Sequence, residues 1–243
     1  MAAAAAAASV ALVVLAVVIS SDIRDHDGIE ADIDALRDDV DADEEALVRL
    51  DERVGDLPVP LDAVSTVEMA GPSVFRVEVT GSQASAFVIE STSDGSRLLT
   101  NYHVVAEAWT SYRRDVRLTG GEMNAVGTIV AVDAEADLAV VDVDAELPNL
   151  QSTTSSPRPG AQVLVIGAPL GLEGTITVGL ISGVREGFLQ LSAPVSPGSS
   201  GSPVLDAEGG VVGVISWKFA EPGAEGLSFA VPITKACEKL ISC

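Results

Sequence analysis

The stretch Ser196-Pro197-Gly198-Ser199-Ser200-Gly201-Ser202-Pro203-Val204 decides how the rest of the chain is read. Its Pro-Gly pair predicts a tight turn, and Gly201 lets the backbone fold closely around Ser200 and aim amides inward. Apolar runs follow at Val204-Leu205 and from Val211 to Ile215, so the serine lies on a loop between strand-like segments. A rigid scaffold presents a nucleophile from such a loop. Ser200 is the candidate. Gly/Ser/Pro clusters are mostly plain loops, so the assignment needs a base and an orienting acid.

The chain has two histidines. His26 stands in a run of aspartates and reads as a solvated side chain. His103 follows the strand-like Arg97-Leu98-Leu99-Thr100-Asn101-Tyr102 and precedes a helical turn at Val104-Val105-Ala106-Glu107-Ala108. It is the candidate general base. The acid should be a carboxylate set in apolar sequence, where it can fix the imidazole tautomer and stabilise the imidazolium. Asp137, which opens Leu138-Ala139-Val140-Val141, fits that role. Asp133, Asp142 and Asp144 are its rivals, and they alternate with valines as solvent-facing residues would.

Four segments together resemble the trypsin-like serine proteases of the Deg/HtrA type. They are Ala84 to Ile89 with Leu98 to Val105, then Asp137 to Val140, Ile166 to Leu172, and the serine loop. The order His103, Asp137, Ser200 is that of the chymotrypsin-type triad. The similarity runs from about Ser73 to Ile233, with two departures. Ser199 stands where Deg proteases have asparagine, and Ser202 where they have a second glycine; the Ser-Pro ending also resembles glutamyl endopeptidases.

The resemblance implies an all-β fold of two six-stranded antiparallel barrels with the triad in the cleft between them. It implies an oxyanion hole from the amides of Gly198 and Ser200, and substrate contacts from Pro194, Ser216, Trp217 and Lys218. Peptides or unfolded proteins would be the substrates, in extracytoplasmic quality control or processing. The PDZ domain that usually follows in Deg proteases is not expected. The function read from these residues is a serine endopeptidase. Its rival is a catalytically idle protease fold that binds extended peptides while tethered to a membrane, and an esterase would use the same acyl chemistry.

The 243 residues hold one good-sized domain plus accessories, with 36 acidic against 14 basic residues and a net charge of −22. That charge excludes nucleic acid as a partner, because a phosphate backbone would be repelled. Aromatics are only 4%, so the core must be built from Val, Leu, Ile and Ala. Two histidines and two cysteines give no metal-ligand pattern, and neither a metal nor a cofactor is expected. Cys237 and Cys243 would point apart on a closing helix from Thr234 to Ile241, and free thiols are the expectation.

Ala2 to Ser20 is an apolar or small run without charge. As a helix rising about 1.5 Å per residue it would nearly cross a bilayer core. A membrane anchor over residues 1–21 is favoured over a cleaved signal peptide or a plain alanine tract, with the following domain extracytoplasmic, or secreted if the segment is cleaved. Residues 22–56 carry 15 acidic and 4 basic side chains, yet apolar residues recur at Ile29, Ile33, Leu36, Val40, Leu47, Leu50 and Val54. That spacing predicts a short coiled-coil stalk, with an acidic solvated spacer as the alternative. Such a stalk would make a homo-oligomer, a trimer by analogy with Deg proteases.

Leu57-Pro58-Val59-Pro60-Leu61 stops any helix, and residues 57–72 read as a linker. From residue 73 to 243 the texture is that of the protease domain. About twelve short valine-rich strands are separated by Gly, Ser, Asp and Pro, a spacing that suggests a barrel or sandwich.

Overall fold

The computed structural model describes residues 16, 36–49, 60–121, 123–153, 157–168, 171–216 and 227–243. The chain divides into two units, residues 1–58 and residues 59–243. In the first, residues 36–49 form helix α1, where Leu36, Val40 and Leu47 are exposed. An exposed ion pair, Arg49 to Glu45 at 3.2 Å, lies along it. The anchor expected over residues 1–21 falls, but for Ala16, outside the described residues. Among those described, no helix is long and apolar enough to cross a membrane.

The second unit is two closed six-stranded barrels. The first contains β1 (Val74–Val79), β2 (Ser82–Thr92), β3 (Gly95–Thr100), β4 (Asp115–Gly120), β5 (Met123–Asp133) and β6 (Leu138–Val143). The second contains β7 (Gln162–Gly167), β8 (Thr175–Arg185), β9 (Phe188–Leu191), β10 (Pro203–Leu205), β11 (Val211–Ile215) and β12 (Ser228–Pro232). Neighbours run β1-β2-β3-β6-β5-β4 in one and β7-β8-β9-β12-β11-β10 in the other, all antiparallel, so the two barrels share a topology. The twelve strands correspond one to one with the segments read from valine spacing. β2 and β5 run beyond the strand-like segments that the sequence offers there, Ala86 to Ile89 and Thr128 to Val132, because Ser82-Gln83-Ala84 and Met123-Asn124-Ala125 have weak strand propensity and are drawn into the ladder by their partners.

Side-chain alternation explains the interior. On β1, Phe75, Val77 and Val79 are buried, while Arg76 and Glu78 on the opposite face are half-buried. They join Val88, Leu98, Leu118 and Val141 inside the first barrel. Val163, Val165, Ile181, Leu189, Leu191 and Val204 fill the second. Phe87, Leu99 and Leu138 of the first barrel form a third cluster with Leu164, Ile166 and Val214 of the second. The two barrels are therefore sealed to each other by apolar burial, which fixes where the loops of one stand against those of the other.

Two elements differ in kind from the sequence reading. Within the stretch read as linker, Ala63–Ala70 forms helix α2. Asp62 caps it by accepting from the amides of Val64 and Ser65, and Ala70 is buried in the inter-barrel cluster. The prolines at 58 and 60 stop a helix before them but leave one free to start after Leu61.

The expectation of free thiols is corrected: Cys237 and Cys243 form a disulfide, with Cα atoms 5.6 Å apart. The closing helix α4 (Ile233–Lys239) ends earlier than predicted, and the chain folds back so that Ile241 is buried. That return brings the second cysteine beside the first. Closing so short a loop is expected to contribute about 2 kcal/mol. Urea melts of the oxidised chain and of Cys243→Ser check it, and equal midpoints would refute it.

Candidate active site

The site is built where the end of β3 meets the β5–β6 turn and the loop between β9 and β10. Helix α3 (Tyr102–Thr110) starts directly after β3, and its N-cap is Asn101. The Asn101 side chain makes no capping bond to the helix, since its Nδ2 donates to the Asp137 carbonyl at 3.0 Å. The open amide of the first turn, that of His103, donates instead to Asp137 Oδ1 at 3.0 Å. Asp137 thus caps α3 from another part of the chain.

The same carboxylate meets the His103 ring, with Nδ1 2.9 Å from Oδ2 and 3.1 Å from Oδ1. On the far side of the ring, Nε2 lies 3.2 Å from Ser200 Oγ. Ser216 Oγ donates to Asp137 Oδ2 at 2.6 Å. Asp137 is fully buried, Ser200 is buried, and the His103 side chain keeps 35% of its exposure, so the ring stands at the edge of solvent. Burial opposes ionisation of Asp137 most strongly. The bonds from the His103 ring and the Ser216 hydroxyl, the charge of His103 and the His103 amide outweigh it and hold the carboxyl below its ordinary range. An ionised Asp137 takes the Nδ1 proton as a hydrogen bond and leaves the Nε2 lone pair to accept from Ser200.

Asp137 adopts φ 58°, a left-handed conformation that costs a non-glycine residue about 1 kcal/mol or more. The turn before it supplies the compensation. Asp133, the last residue of β5, accepts from the amides of Glu135 and Ala136 at 3.0 Å each, and its other oxygen takes Lys239 of α4 at 3.0 Å. The Ala136 amide is the main cause that lowers the Asp133 carboxyl, burial opposes it, and Lys239 and Glu135 add to the lowering.

Both carboxyls therefore favour the folded state when ionised. Their contribution is complete above the ordinary carboxyl value near pH 4 and is lost as pH falls through the lower folded values. Asp133→Asn should be less stable than the parent at pH 7, and its loss of stability between pH 4 and 2 should be shallower. Denaturant melts across that range decide it; a parallel pH profile in the two proteins would contradict the expectation.

The serine loop has the turn read from its Pro-Gly pair. Ser199 N donates to Ser196 O at 2.9 Å, and Gly198 has φ 98°, the signature of a type II turn with Pro197 and Gly198 at its centre. Gly201 has φ 82°, and a Cβ there would meet the Ser85 carbonyl at 1.9 Å, so the position after Ser200 admits only glycine. Among the described residues, no hydrogen bond uses the amides of Gly198 or Ser200. Ser202, the departure from a second glycine, is fully buried with its hydroxyl where a side chain at Gly167 would sit. The larger residue at one position is accommodated by the smaller one at the other.

Of the residues singled out in the sequence, His103, Asp137, Ser200, Gly198 and Ser216 come together. Ser216, expected to contact substrate, turns its hydroxyl to Asp137, while its amide donates to the Phe229 carbonyl. Pro194 is exposed on the loop before Ser200. Trp217 and Lys218 lie outside the described residues. Of the rival acids, Asp142 pairs with Arg97 at 3.1 Å and Asp144 is exposed. Sequence reasoning gave no role to Asn101 and took Asp133 only as a rival acid. An aspartate just before a short loop is a signal for the turn bonds Asp133 makes; nothing local marks Asn101, whose partner is 36 residues away.

Comparison with known proteins agrees with this geometry. The family described as trypsin-like peptidase domain matches residues 84–214. The chain is 40% identical over 166 residues to the putative serine protease HhoB of Synechocystis sp., covering 63% of this chain and 38% of that one. It is 34% identical to the serine protease Do-like HtrB of Bacillus subtilis, covering 61% and 35%. The chain therefore spans little more than a third of the length of these relatives. Among solved structures, Deg5 matches with a TM-score of 0.64 at 28% identity, covering 72% of this chain and 90% of that one. The HtrA-type protease AlgW with a tripeptide matches with a TM-score of 0.62 at 31% identity, covering 72% and 61%. With two barrels, a Ser-His-Asp constellation between them and these relatives, the chain belongs to the trypsin-like peptidase domain family and is of the HtrA/Deg serine protease type.

Proposed function

We propose that this protein is a serine endopeptidase. The observation that carries the reading is the unbroken line from buried Asp137 through both nitrogens of His103 to Ser200 Oγ, with contacts of 2.9 and 3.2 Å. His103 takes the Ser200 proton as Oγ attacks the scissile carbonyl, and returns it to the leaving amine; Asp137 holds the ring and stabilises the imidazolium. The amides of Gly198 and Ser200 receive the oxyanion. A water activated by the same histidine then releases the acyl group. Labelling with a biotinylated fluorophosphonate tests this directly. Modification at Ser200 supports the enzyme, and well-folded protein that stays unlabelled favours an idle peptide-binding module.

Cleavage after small or medium apolar residues follows from the segments expected to line the specificity pocket. Leu191 and Ala193 are fully buried, and the Ser228 hydroxyl is spent on the Ala193 carbonyl. No acid occurs in residues 191–197 or 215–218 to pair with a substrate Lys or Arg, and an unpaired buried cation is too costly. A peptide library should give cleavage after Val or Ala. Dominant cleavage after Arg or Lys would refute this, and cleavage after Glu that disappears in Lys218→Ala would assign the pocket to that lysine instead.

The relatives named as periplasmic serine endoproteases, from Hahella chejuensis and Halomonas elongata, support an extracytoplasmic protein. The Cys237–Cys243 disulfide supports it independently, since such bonds persist in oxidising compartments. In this reading residues 1–21 anchor the chain to a membrane and residues 22–56 are a stalk that draws copies together. The exposed Leu36, Val40 and Leu47 on α1 supply part of the apolar seam such a stalk needs. Peptides and unfolded proteins are the substrates.

A further inference from the structure

Ser85, on β2 of the first barrel, makes two bonds to the serine loop, as many as Ile215 of β11 makes from the second barrel that carries it. Its amide donates to the Ser200 carbonyl at 2.8 Å, and its hydroxyl donates to the Gly198 carbonyl at 2.9 Å. The hydroxyl oxygen in turn accepts from the Ala168 amide at 3.0 Å, and the Ser85 carbonyl accepts from Thr100 Oγ1 at 2.8 Å. Ser85 is fully buried. Among the described residues, no other side chain bonds to the carbonyls of Gly198 or Ser200.

Gly198 is the residue most in need of such a clamp. At φ 98° it sits at the centre of a type II turn, and glycine populates positive and negative φ about equally. Glycine has no side chain with which to hold itself in place. In the type I alternative the Pro197–Gly198 peptide is rotated by about half a turn, and the Gly198 amide would face away from the place it has in the type II form. The Ser199 amide bond to Ser196 is compatible with both turn types, so it does not choose between them. The Gly198 carbonyl belongs to the same planar peptide as the Ser199 amide, so the bond from Ser85 Oγ is a second hold on that peptide and not a choice of turn type; with the Ser85 amide on the Ser200 carbonyl, it anchors the chain on both sides of the Ser200 amide.

We propose that Ser85 is a positioning residue for the oxyanion hole: its hydroxyl, held by the Ala168 amide, anchors the loop at the Gly198 carbonyl as its own amide anchors it at the Ser200 carbonyl, so that the Ser200 amide between the two anchors is held toward the developing oxyanion. This rests on the endopeptidase reading above. It gives the first barrel a part in oxyanion stabilisation besides supplying His103 and Asp137. It also gives the two barrels a reason to be sealed, since a shift between them would move the clamp.

The test is Ser85→Ala, with Ser85→Cys as the conservative variant that keeps a weak donor and acceptor in nearly the same volume. Both are measured on a fluorogenic Ala-Ala-Pro-Val peptide, with rates normalised to the sites that a fluorophosphonate titrates, so that unfolded protein is not counted. Removing an oxyanion donor outright costs about 100- to 1000-fold in kcat. A donor that is loosened rather than lost should cost Ser85→Ala about 10- to 100-fold in kcat, with KM nearly unchanged. The Ki of the matching peptide boronate, which places an anionic tetrahedral oxygen in the hole, should rise in step with the fall in kcat. Ser85→Cys should lie between the two proteins on both scales, and it carries the test by itself if the alanine variant does not fold.

An unchanged kcat, a change in KM alone, or a fall in kcat with the boronate Ki unmoved would each overturn the proposal. If the parent protein were itself neither labelled at Ser200 nor active, the endopeptidase reading would fall. A labelled, active parent with indifferent Ser85 variants would sink only the clamp.

Discussion

Ser200→Ala and His103→Ala are each expected to lower kcat by about a million-fold, and the double variant should be no worse than either single one. Attack and proton removal are one event. Without Oγ there is no nucleophile, and without Nε2 at 3.2 Å from it the hydroxyl keeps its proton and attacks feebly. A residue of about 10³- to 10⁴-fold over the uncatalysed reaction should survive, because the oxyanion donors and the substrate groove are untouched. His26, the other histidine, lies far earlier in the sequence among aspartates, and His26→Ala should leave the rate per folded enzyme unchanged. Assays of the four variants, with rates normalised to folded protein measured by circular dichroism, decide it. Substantial activity in His103→Ala would overturn the whole assignment, since the second unit contains no other imidazole.

Asp137→Asn should lower kcat by about 10⁴-fold with KM nearly unchanged, although it keeps the shape of the side chain. Three donors converge on the Asp137 carboxylate: the His103 amide, His103 Nδ1–H and Ser216 Oγ–H. A carboxylate accepts all three. A carboxamide offers one accepting oxygen and an NH₂ group that must face one of these partners. If the NH₂ faces Nδ1, the ring takes the opposite tautomer, with its proton on Nε2 pointing at Ser200, and it cannot act as a base. If it faces the backbone amide of His103 instead, two donors oppose each other at the start of α3 in a buried setting. Either outcome damages the chemistry or the helix cap, and circular dichroism with kcat measurement separates the two. Loss of no more than about tenfold in kcat in a folded variant would show that the Asp137 charge contributes little beyond packing.

The contrast between Asp137 and Asp133 shows what a sequence can carry about this site. Both are aspartates on the same valine-rich stretch. Asp137 was legible as the acid because it opens a continuous apolar run, and such a run must enter the core and take its first residue with it. Asp133 was legible only as a rival. Its work in shaping the turn, and its bond to Lys239 from the last helix, depends on α4 packing across the β5–β6 turn more than a hundred residues later. Ser216 shows the same limit. It was noticed, but for substrate contact, since nothing near it in the chain indicates that its hydroxyl reaches a carboxylate 79 residues back.

By itself the sequence indicated the strands and picked out Ser200, His103 and Asp137, which the structure brings within hydrogen-bond reach of one another. Alternation at period two, the glycines flanking Ser200 and the scarcity of histidine are local properties that survive in a string of letters. Tertiary structure alone decided the Cys237–Cys243 pairing, the capping of α3 by Asp137 and the hold of Ser85 on the serine loop. Each joins groups whose meeting depends on how the chain returns on itself. A disulfide needs the turn after α4, and the other two need the barrels closed and sealed by apolar burial. Hydrogen bonds are short-ranged and directional, so their partners become defined only once that burial has fixed the backbone to within a few tenths of an ångström.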